Sequence, residues 1–414
     1  MTVQLCRLAI EGGAPVREAP WPTYERGDVF VHEDDEKAVH RVLRSRLYFR
    51  YDQRPLEDTE TGRFEAALRA HFGVRHAIAV SSGTAAIALS LMALGLRPGT
   101  EVACPGFAFP ATPSAILLAG LEPVLVEVDE HLHLDIGDLR RKVSRRLGAI
   151  VAVHMRGMAG DMDGLLALAG ELGVPVVEDA VPALGARLNG RHLGTFGAAG
   201  AFSTQSDKSL NTGEGGFILT GDSELFTRAL ILSGAYEGRH RKHEGIVDHV
   251  CDLDLPLFNF RMDEIRAAFA RSQLGHLPER LRRQSESYRR VAGALEDVPG
   301  IVLRRPVEPG ALLGECLIFR VPGGGAAWFA RALRAEGIGA RNFGDPRETN
   351  VRCFWTWRFL FPDLDEARAK AMLPRTAALL EEAVDIPMAP TLQAQDCDQL
   401  VAAVRKVAAA LGPA

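Results

Sequence analysis

The sequence predicts an α/β fold: a large domain built on a mostly parallel sheet, followed by a smaller α+β C-terminal domain. Three observations predict it. From His76 to Glu178, short apolar runs of strand length alternate with segments of helical spacing, which implies right-handed βαβ units and a sheet covered on both faces. Beyond Thr220 the alternation gives way to a charged stretch and then a long helical segment. The chain has 414 residues, 47% of them hydrophobic and 24% charged, so it is long enough to bury two cores. The expected division is an arm over 1–30, a large domain over 31–255 and a small domain over 256–414.

In order along the chain, residues 1–27 are rich in Pro, Gly and charge and read as an arm, and 1–12 lack the basic region and apolar run of an export signal. Val39, Val42 and Leu43 place a helix over 33–46, and a second is expected over 62–72, after the aromatic and basic segment Leu47-Tyr48-Phe49-Arg50-Tyr51. That segment is expected to pack between the helices, with a substrate mouth as the other reading. Strands are then expected over 76–80, 101–104, 123–128, 149–154 and 174–178, and helices over 83–94, 110–119, 136–143 and 162–172. Two further strands, 198–202 and 217–220, flank a polar loop. A helical segment over 262–295 carries Gly275 and Pro278 as interruptions. Strands near Val302 and Leu317, a helix over 327–336, a strand over 339–342 and helices over 365–383 and 396–411 complete the small domain.

In a parallel sheet, ligands gather at the carboxyl ends of the strands, so the residue after each strand is where function is sought. After the first strand, Ser81-Ser82-Gly83-Thr84 opens a helix whose free amides and positive end suit a phosphate, although Ser and Thr also cap helices with no ligand. Pro105-Gly106-Phe107-Ala108-Phe109 brings aromatic rings to the same edge, as core or as a stacking surface. The strand over 174–178 delivers Asp179, a carboxylate that needs a cationic or hydrogen-bonding partner when buried.

The last of these loops is Ser203-Thr204-Gln205-Ser206-Asp207-Lys208, followed by the glycine-rich Gly213-Glu214-Gly215-Gly216. Lysine is scarce: Lys37, Lys142, Lys208, Lys242, Lys370 and Lys406 are the six, and arginine supplies the rest of the 48 basic residues. Only an amine can lose its proton and condense with an aldehyde, although a loop lysine is as readily a plain surface charge. A phosphate-binding turn, a stacking ring, a strand-end acid and a strand-end lysine together are what pyridoxal 5′-phosphate requires.

These residues resemble the DegT/StrS-type aminotransferases, pyridoxal-phosphate (PLP-dependent) transferases of fold type I. The likeness is carried by Ser82-Gly83-Thr84, the stretch 105–112, Val153-His154-Met155-Arg156-Gly157 with Asp161-Met162-Asp163, Glu178-Asp179-Ala180, Phe202-Ser203 with Lys208 and the glycine-rich turn, and Asn259-Phe260-Arg261-Met262. The surroundings are most similar to the scyllo-inosose aminotransferase and 3-amino-5-hydroxybenzoate synthase branch. The resemblance implies that Lys208 attaches the cofactor covalently and that Asp179 pairs with its ring nitrogen. Gly83, Thr84 and Ser203 would hold the phosphate, Phe109 would stack on the ring, and Asn259 would reach the phosphate of a neighbouring subunit, which implies a homodimer with shared sites. The alternatives for Asn259 and Ser203 are a turn residue and a satisfied strand-end hydroxyl. Two positions depart from the family pattern: Pro182 stands where glutamine or histidine is usual, and Leu257 where glycine is common.

The activity implied is transfer of an amino group from glutamate or glutamine to a cyclic ketone, a ketosugar or cyclitol, in a biosynthetic pathway. The alternative is a lyase or aromatising synthase on the same scaffold. A non-catalytic cofactor-fold protein is disfavoured because Lys208 and Asp179 are both present. Tyr48, Arg50, Tyr51, Glu214, Asn342 and Arg347 are candidates for substrate contact. A net charge of −5 gives no reason to expect nucleic-acid binding, and no stretch is apolar and long enough to span a membrane. The cysteines Cys6, Cys104, Cys251, Cys316, Cys353 and Cys397 form no Cys-x-x-Cys pair, and His240, His243, His249, Cys251 and Asp254 match no usual ligand spacing, so no metal is expected. Scattered thiols suit a reducing cytoplasm.

Overall fold

The structure, a computed structural model, describes residues 7–22 and 31–411. Parts of the expected arm, Cys6 and half of the stretch read for an export signal lie outside the described residues.

A seven-stranded sheet organises the large domain. Its strands are β1 (His76–Val80), β2 (Glu101–Pro105), β3 (Glu122–Val126), β4 (Leu147–Val153), β5 (Val176–Asp179), β6 (Ala199–Ser203) and β7 (Gly216–Thr220). They lie in the order β1-β7-β6-β5-β4-β2-β3. Every neighbouring pair is parallel except the two made by β7, which is antiparallel to both β1 and β6. Six strands therefore run the same way, and the carboxyl ends of β1, β5 and β6 fall on one edge.

Burial on both faces explains the continuous apolar runs. Ile78 and Val80 of β1, Val151 of β4 and Val177 of β5 face a cluster with Ile87, Leu91, Phe226 and Leu230. Their neighbours Ala77 and Ala79 face the opposite layer, with Phe64, Leu68, Phe202 and Phe217. Alternation at period two thus survives inside a fully buried sheet. Each large side chain removed from water here contributes roughly 1.5–3 kcal/mol. Phe202 and Phe217 stack across the β6–β7 pair, with ring centroids 4.6 Å apart.

The long helical segment expected over 262–295 is two helices, Glu264–Leu274 and Leu277–Leu295, broken at Gly275 and His276. Pro278 opens the second helix, where its missing N–H costs nothing. The first helix buries Ala267, Ala270 and Leu274 against the large-domain layer.

The small domain holds a four-stranded antiparallel sheet: β8 (Val302–Leu303), β9 (Cys316–Arg320), β10 (Arg341–Asn342) and β11 (Ala383–Pro387), in the order β8-β9-β11-β10. Helices Ala326–Ala335 and Ala394–Leu411 cover it. One expectation fails here. The helix read over 365–383 is two short helices, Glu366–Lys370 and Pro374–Glu381, and β11 begins where it was expected to end. Leu373, forced out of the helical region by the proline after it, marks the break. Described arm residues pack on this domain: Trp21 donates its indole N–H to the Pro387 carbonyl at 3.2 Å, and Arg17 pairs with Asp396 at 2.6 Å.

Candidate active site

The site is built from three strand ends. Beyond β1, Ser82 caps the helix Gly83–Ala93. Its Oγ accepts from the Ala85 amide at 3.0 Å and its carbonyl from the Ala86 amide at 3.0 Å. The first two amides of the helix, those of Gly83 and Thr84, are left to face a ligand at the positive end of the dipole. A side chain at residue 83 has no room, because a Cβ there would stand 2.8 Å from Cβ of Ser203, the last residue of β6. Glycine lets the helix start and the strand end meet.

Asp179 closes β5. Its carboxylate is 4% exposed; Oδ2 accepts from Thr112 Oγ1 at 2.6 Å and Oδ1 from the Val181 amide at 3.3 Å. Burial pushes the carboxyl above its ordinary value, against the pull of the Thr112 and Val181 hydrogen bonds and the charges of His154 and Lys208. On the other face of β5, Glu178 is fully buried and accepts from His154 Nε2 at 2.8 Å and from the amides of Gly194, Phe196 and Gly197 at 2.6–2.7 Å. Burial alone would raise Glu178, but the His154 bond and the amides outweigh it and hold the group below its ordinary value.

Lys208 sits in the loop between β6 and β7, which is tightly braced. The hydroxyls of Thr204 and Thr212 lie 2.6 Å apart, the Thr212 amide donates to the Thr204 carbonyl at 2.8 Å, and Asn211 Nδ2 donates to the Ser206 carbonyl at 3.0 Å. Gly216 returns the chain under the Ser82 turn, where a Cβ would meet the Phe202 carbonyl oxygen at 2.5 Å and Ser82 backbone at 2.6 Å. The Lys208 amine lies 3.3 Å from Asp207.

These pieces enclose one cavity of about 380 Å³, whose walls include Gly83, Thr84, Phe109, Asp179, Ser203 and Lys208. Six of the seven residues expected at a cofactor thus line one space. Asn259 does not; it is exposed on the surface of its own chain. Pro182 lies in the cavity wall. An outer cleft of about 1310 Å³, between the Lys208 loop, Trp21 and the small domain, shares Gln205, Asp207 and Arg352 with the inner cavity.

Of the substrate-contact candidates, Glu214 lines the inner cavity and Asn342 the outer cleft. Asn342 is also a brace, with Nδ2 donating to the carbonyls of Glu381 and Ala383 at 2.8 Å each. Arg50 and Tyr51 are corrected: both are buried, Arg50 pairing with Glu65 at 2.6 Å and the Tyr51 hydroxyl lying 3.0 Å from His243 Nε2. Their aromatic, basic segment packs between helices, because a buried guanidinium that finds a carboxylate needs no ligand. Tyr48 and Arg347 are exposed and line neither space. His243 is thus engaged by Tyr51, and among the described residues no group of three or more His, Cys, Asp or Glu converges on a metal position.

Sequence reasoning missed Thr112 as a partner of Asp179, and it missed Arg156, Glu315 and Arg352, which line the inner cavity from loops and the small domain. Arg156 has a left-handed backbone (φ 56°) and pairs with Asp385 of β11, tying the loop after β4 to the small sheet. Its place in the His154-Met155-Arg156-Gly157 motif was the one available signal.

The donor set fits a phosphorylated pyridine aldehyde. A buried carboxylate held above its ordinary value gains from a protonated ring nitrogen set against it. The amides of Gly83 and Thr84 with the Ser203 hydroxyl fit a phosphate, and Lys208 supplies the amine.

Comparisons with known proteins agree with this geometry. A profile of the DegT/DnrJ/EryC1/StrS aminotransferase family matches residues 31–405. The chain is 30% identical, over 83% of its length and 87% of the relative's, to UDP-N-acetyl-3-dehydro-alpha-D-glucosamine 3-aminotransferase of Acidithiobacillus ferrooxidans. It is 33% identical to the L-glutamine:2-deoxy-scyllo-inosose aminotransferase of Micromonospora echinospora, over 72% of its length and 70% of that protein's. Among solved structures, 3-amino-5-hydroxybenzoic acid synthase superposes with a TM-score of 0.78 at 26% identity, covering 96% of this chain and 99% of that one. The sheet order, the cavity at the strand ends and these likenesses lead to one conclusion: the chain belongs to the DegT/DnrJ/EryC1/StrS family and is a PLP-dependent aminotransferase of that family's fold.

Proposed function

We propose that the protein moves an amino group from glutamate or glutamine to a cyclic ketone, a ketosugar or cyclitol, with pyridoxal 5′-phosphate bound in the inner cavity. The observation that carries this reading is that Lys208, Asp179 and the Gly83–Ser203 contact, from three separate strand ends, line one space of about 380 Å³.

When bound, the cofactor supplies an aldehyde that takes up amines and a ring that accepts the electrons left when a proton departs from the donor's α-carbon. The protein's part is positioning and proton transfer. The amides of Gly83 and Thr84 and the Ser203 hydroxyl hold the phosphate. Asp179, fixed by Thr112 and Val181, keeps a proton on the ring nitrogen. Phe109 covers one face of the ring. The Lys208 amine, once displaced by the donor, takes the proton from the α-carbon and returns it one position along, as base and then acid.

We also propose a homodimer in which Asn259 serves the partner's phosphate. Asn259 is exposed outside its own cavity, and Leu253 and Leu257 in the same segment are 90% and 57% exposed. A division into 1–30, 31–255 and 256–414 is proposed too, with Glu264–Leu274 as the connection. A cytoplasmic location is supported by the unpaired thiols Cys104, Cys251, Cys316, Cys353 and Cys397. Among the described residues no helix is long and apolar enough to cross a membrane.

The test is spectroscopic. Protein incubated with the cofactor should turn yellow, borohydride should fix the cofactor on Lys208, and glutamate or glutamine should bleach the colour, releasing one equivalent of the 2-oxo acid. The lyase alternative, favoured by the uncommon Pro182 in the cavity wall, predicts loss of carbon dioxide or water instead. A colourless protein overturns both.

A further inference from the structure

We propose that Arg352 binds the α-carboxylate of the amino donor, and so selects amino acids over simple amines for the first half of the reaction. The inference rests on the aminotransfer reading and names a residue which that reading does not use.

Arg352 lies where the inner cavity opens into the outer cleft and lines both. Its main chain is fixed: its amide donates to Asn350 Oδ1 at 3.1 Å, and its carbonyl accepts from the Ala108 amide at 3.2 Å. That second bond ties it to the loop bearing Phe109, whose ring centroid lies 5.9 Å from the guanidinium carbon. The side chain therefore emerges beside the surface assigned to the cofactor ring.

Its charge has no answering charge. Other buried arginines are paired, Arg50 with Glu65 and Arg156 with Asp385, but no carboxylate of the described residues lies within ion-pair distance of Arg352. Burial and the neighbouring charge of Arg156 both disfavour its protonated form, and an added anion relieves both. A guanidinium with its face on a ring and its edge free is the side chain that grips a planar carboxylate with two parallel hydrogen bonds.

Two anions could come here: a carboxylate of the donor or a phosphate of the acceptor. The carboxylate is favoured because every amino acid carries it on the reacting carbon, within the enclosed cavity. A ring ketone is neutral at its reacting carbon, and any phosphate it bears is several bonds away, toward the outer cleft.

The test compares Arg352→Met and Arg352→Lys with the native holoenzyme. Single-turnover bleaching is followed with L-glutamate and with 4-aminobutyrate, the same skeleton without the α-carboxylate. Native protein should prefer glutamate, and Arg352→Met should lower the rate constant over Kd for glutamate by roughly 10- to 100-fold while leaving 4-aminobutyrate unchanged. Arg352→Lys should fall between, since it keeps the charge and loses the fork. An equilibrium readout accompanies it: calorimetric affinity for α-methyl-L-glutamate, which has no α-hydrogen to lose, should drop by the same factor. Affinity for uridine diphosphate and inorganic phosphate should not change. Loss for uridine diphosphate alone, equal loss for both amines, or no loss for glutamate overturns the proposal. If native protein does not bleach with glutamate at all, the aminotransfer reading fails instead.

Discussion

Thr112 donates its hydroxyl to Oδ2 of Asp179 at 2.6 Å, and the two residues come from different crossovers, Thr112 from the helix Ala111–Leu118 after β2 and Asp179 from the end of β5. The bond leaves Oδ1 with only the 3.3 Å contact from Val181, so the acid is oriented yet under-satisfied. Its raised pKa, caused first by burial, makes the cofactor-free protein less stable as pH rises from the ordinary carboxylate value through the raised one. Asp179→Asn removes that penalty. Without cofactor it should be more stable than native by about 1 kcal/mol at neutral pH, while the loaded variant should lose nearly all bleaching by glutamate. Denaturant midpoints of the two cofactor-free proteins, taken at pH 4 and pH 8, decide it; a variant weaker than native at pH 8 would contradict the electrostatic account.

Gly83 gives a steric prediction. An added methyl would stand 2.8 Å from Ser203 Cβ, so Gly83→Ala must push the helix start off the strand end and open the phosphate corner. Overpacking of this kind costs about 1–3 kcal/mol, and cofactor affinity should fall roughly tenfold or more. Gly293→Ala is the control: it lies in the helix Leu277–Leu295 with nothing within 4 Å of an added Cβ, and should stabilise by up to about 1 kcal/mol. Equal cofactor affinity in the two variants would remove the steric argument.

What could be read in the sequence follows from what the sheet imposes. Ser82, Asp179 and Lys208 were legible because a parallel sheet puts every strand's exit on one edge, so a polar residue after an apolar run has only one place to be. Arg352 and Glu315 come from loops and a short strand of the small domain, where no period relates position to direction. Strand β11 was hidden for a related reason: Asp385 interrupts its apolar run, and it is buried only because Arg156, more than two hundred residues earlier, reaches it. Arg50 and Tyr51 show the converse error. A loop rich in arginine and tyrosine has the composition of a binding mouth, and the partner that buries it, Glu65, looks in the sequence like any charged helix residue.

The Glu178–His154 pair sets a pH dependence. Glu178 is depressed below its ordinary value of 4.5, so its contribution to stability is present above that pH and is lost as pH falls through the depressed value. In His154→Leu the carboxylate keeps three backbone amides but loses the side-chain donor, a loss of roughly 3–5 kcal/mol for a buried pair. The variant's carboxyl, still buried, should titrate higher than native. The stability gap between the two proteins should therefore be widest near neutral pH and close as the solution is acidified below about 4. Parallel urea titrations from pH 7 to pH 3 measure it, and a gap independent of pH would assign the loss to packing alone.

The lysine loop is held from behind. Gln273 Oε1 accepts from the Asn211 amide at 3.2 Å and from Arg280 Nη1 at 2.9 Å, and the same Nη1 donates to the Ser209 carbonyl at 3.0 Å. The backbone on the far side of Lys208 is thereby fastened to the two helices that lead into the small domain. In Gln273→Leu the volume is nearly kept, but an amide and a guanidinium lose an acceptor, costing about 1–3 kcal/mol where they are buried. That cost falls on the loop rather than on the sheet, whose ladder is untouched. Cofactor release should accelerate roughly tenfold, and the amides of Ser209 and Asn211 should exchange hydrogen faster while those of β6 keep their protection. Faster exchange throughout β6 and β7 would mean that the whole domain had loosened and that the brace does not act specifically on Lys208.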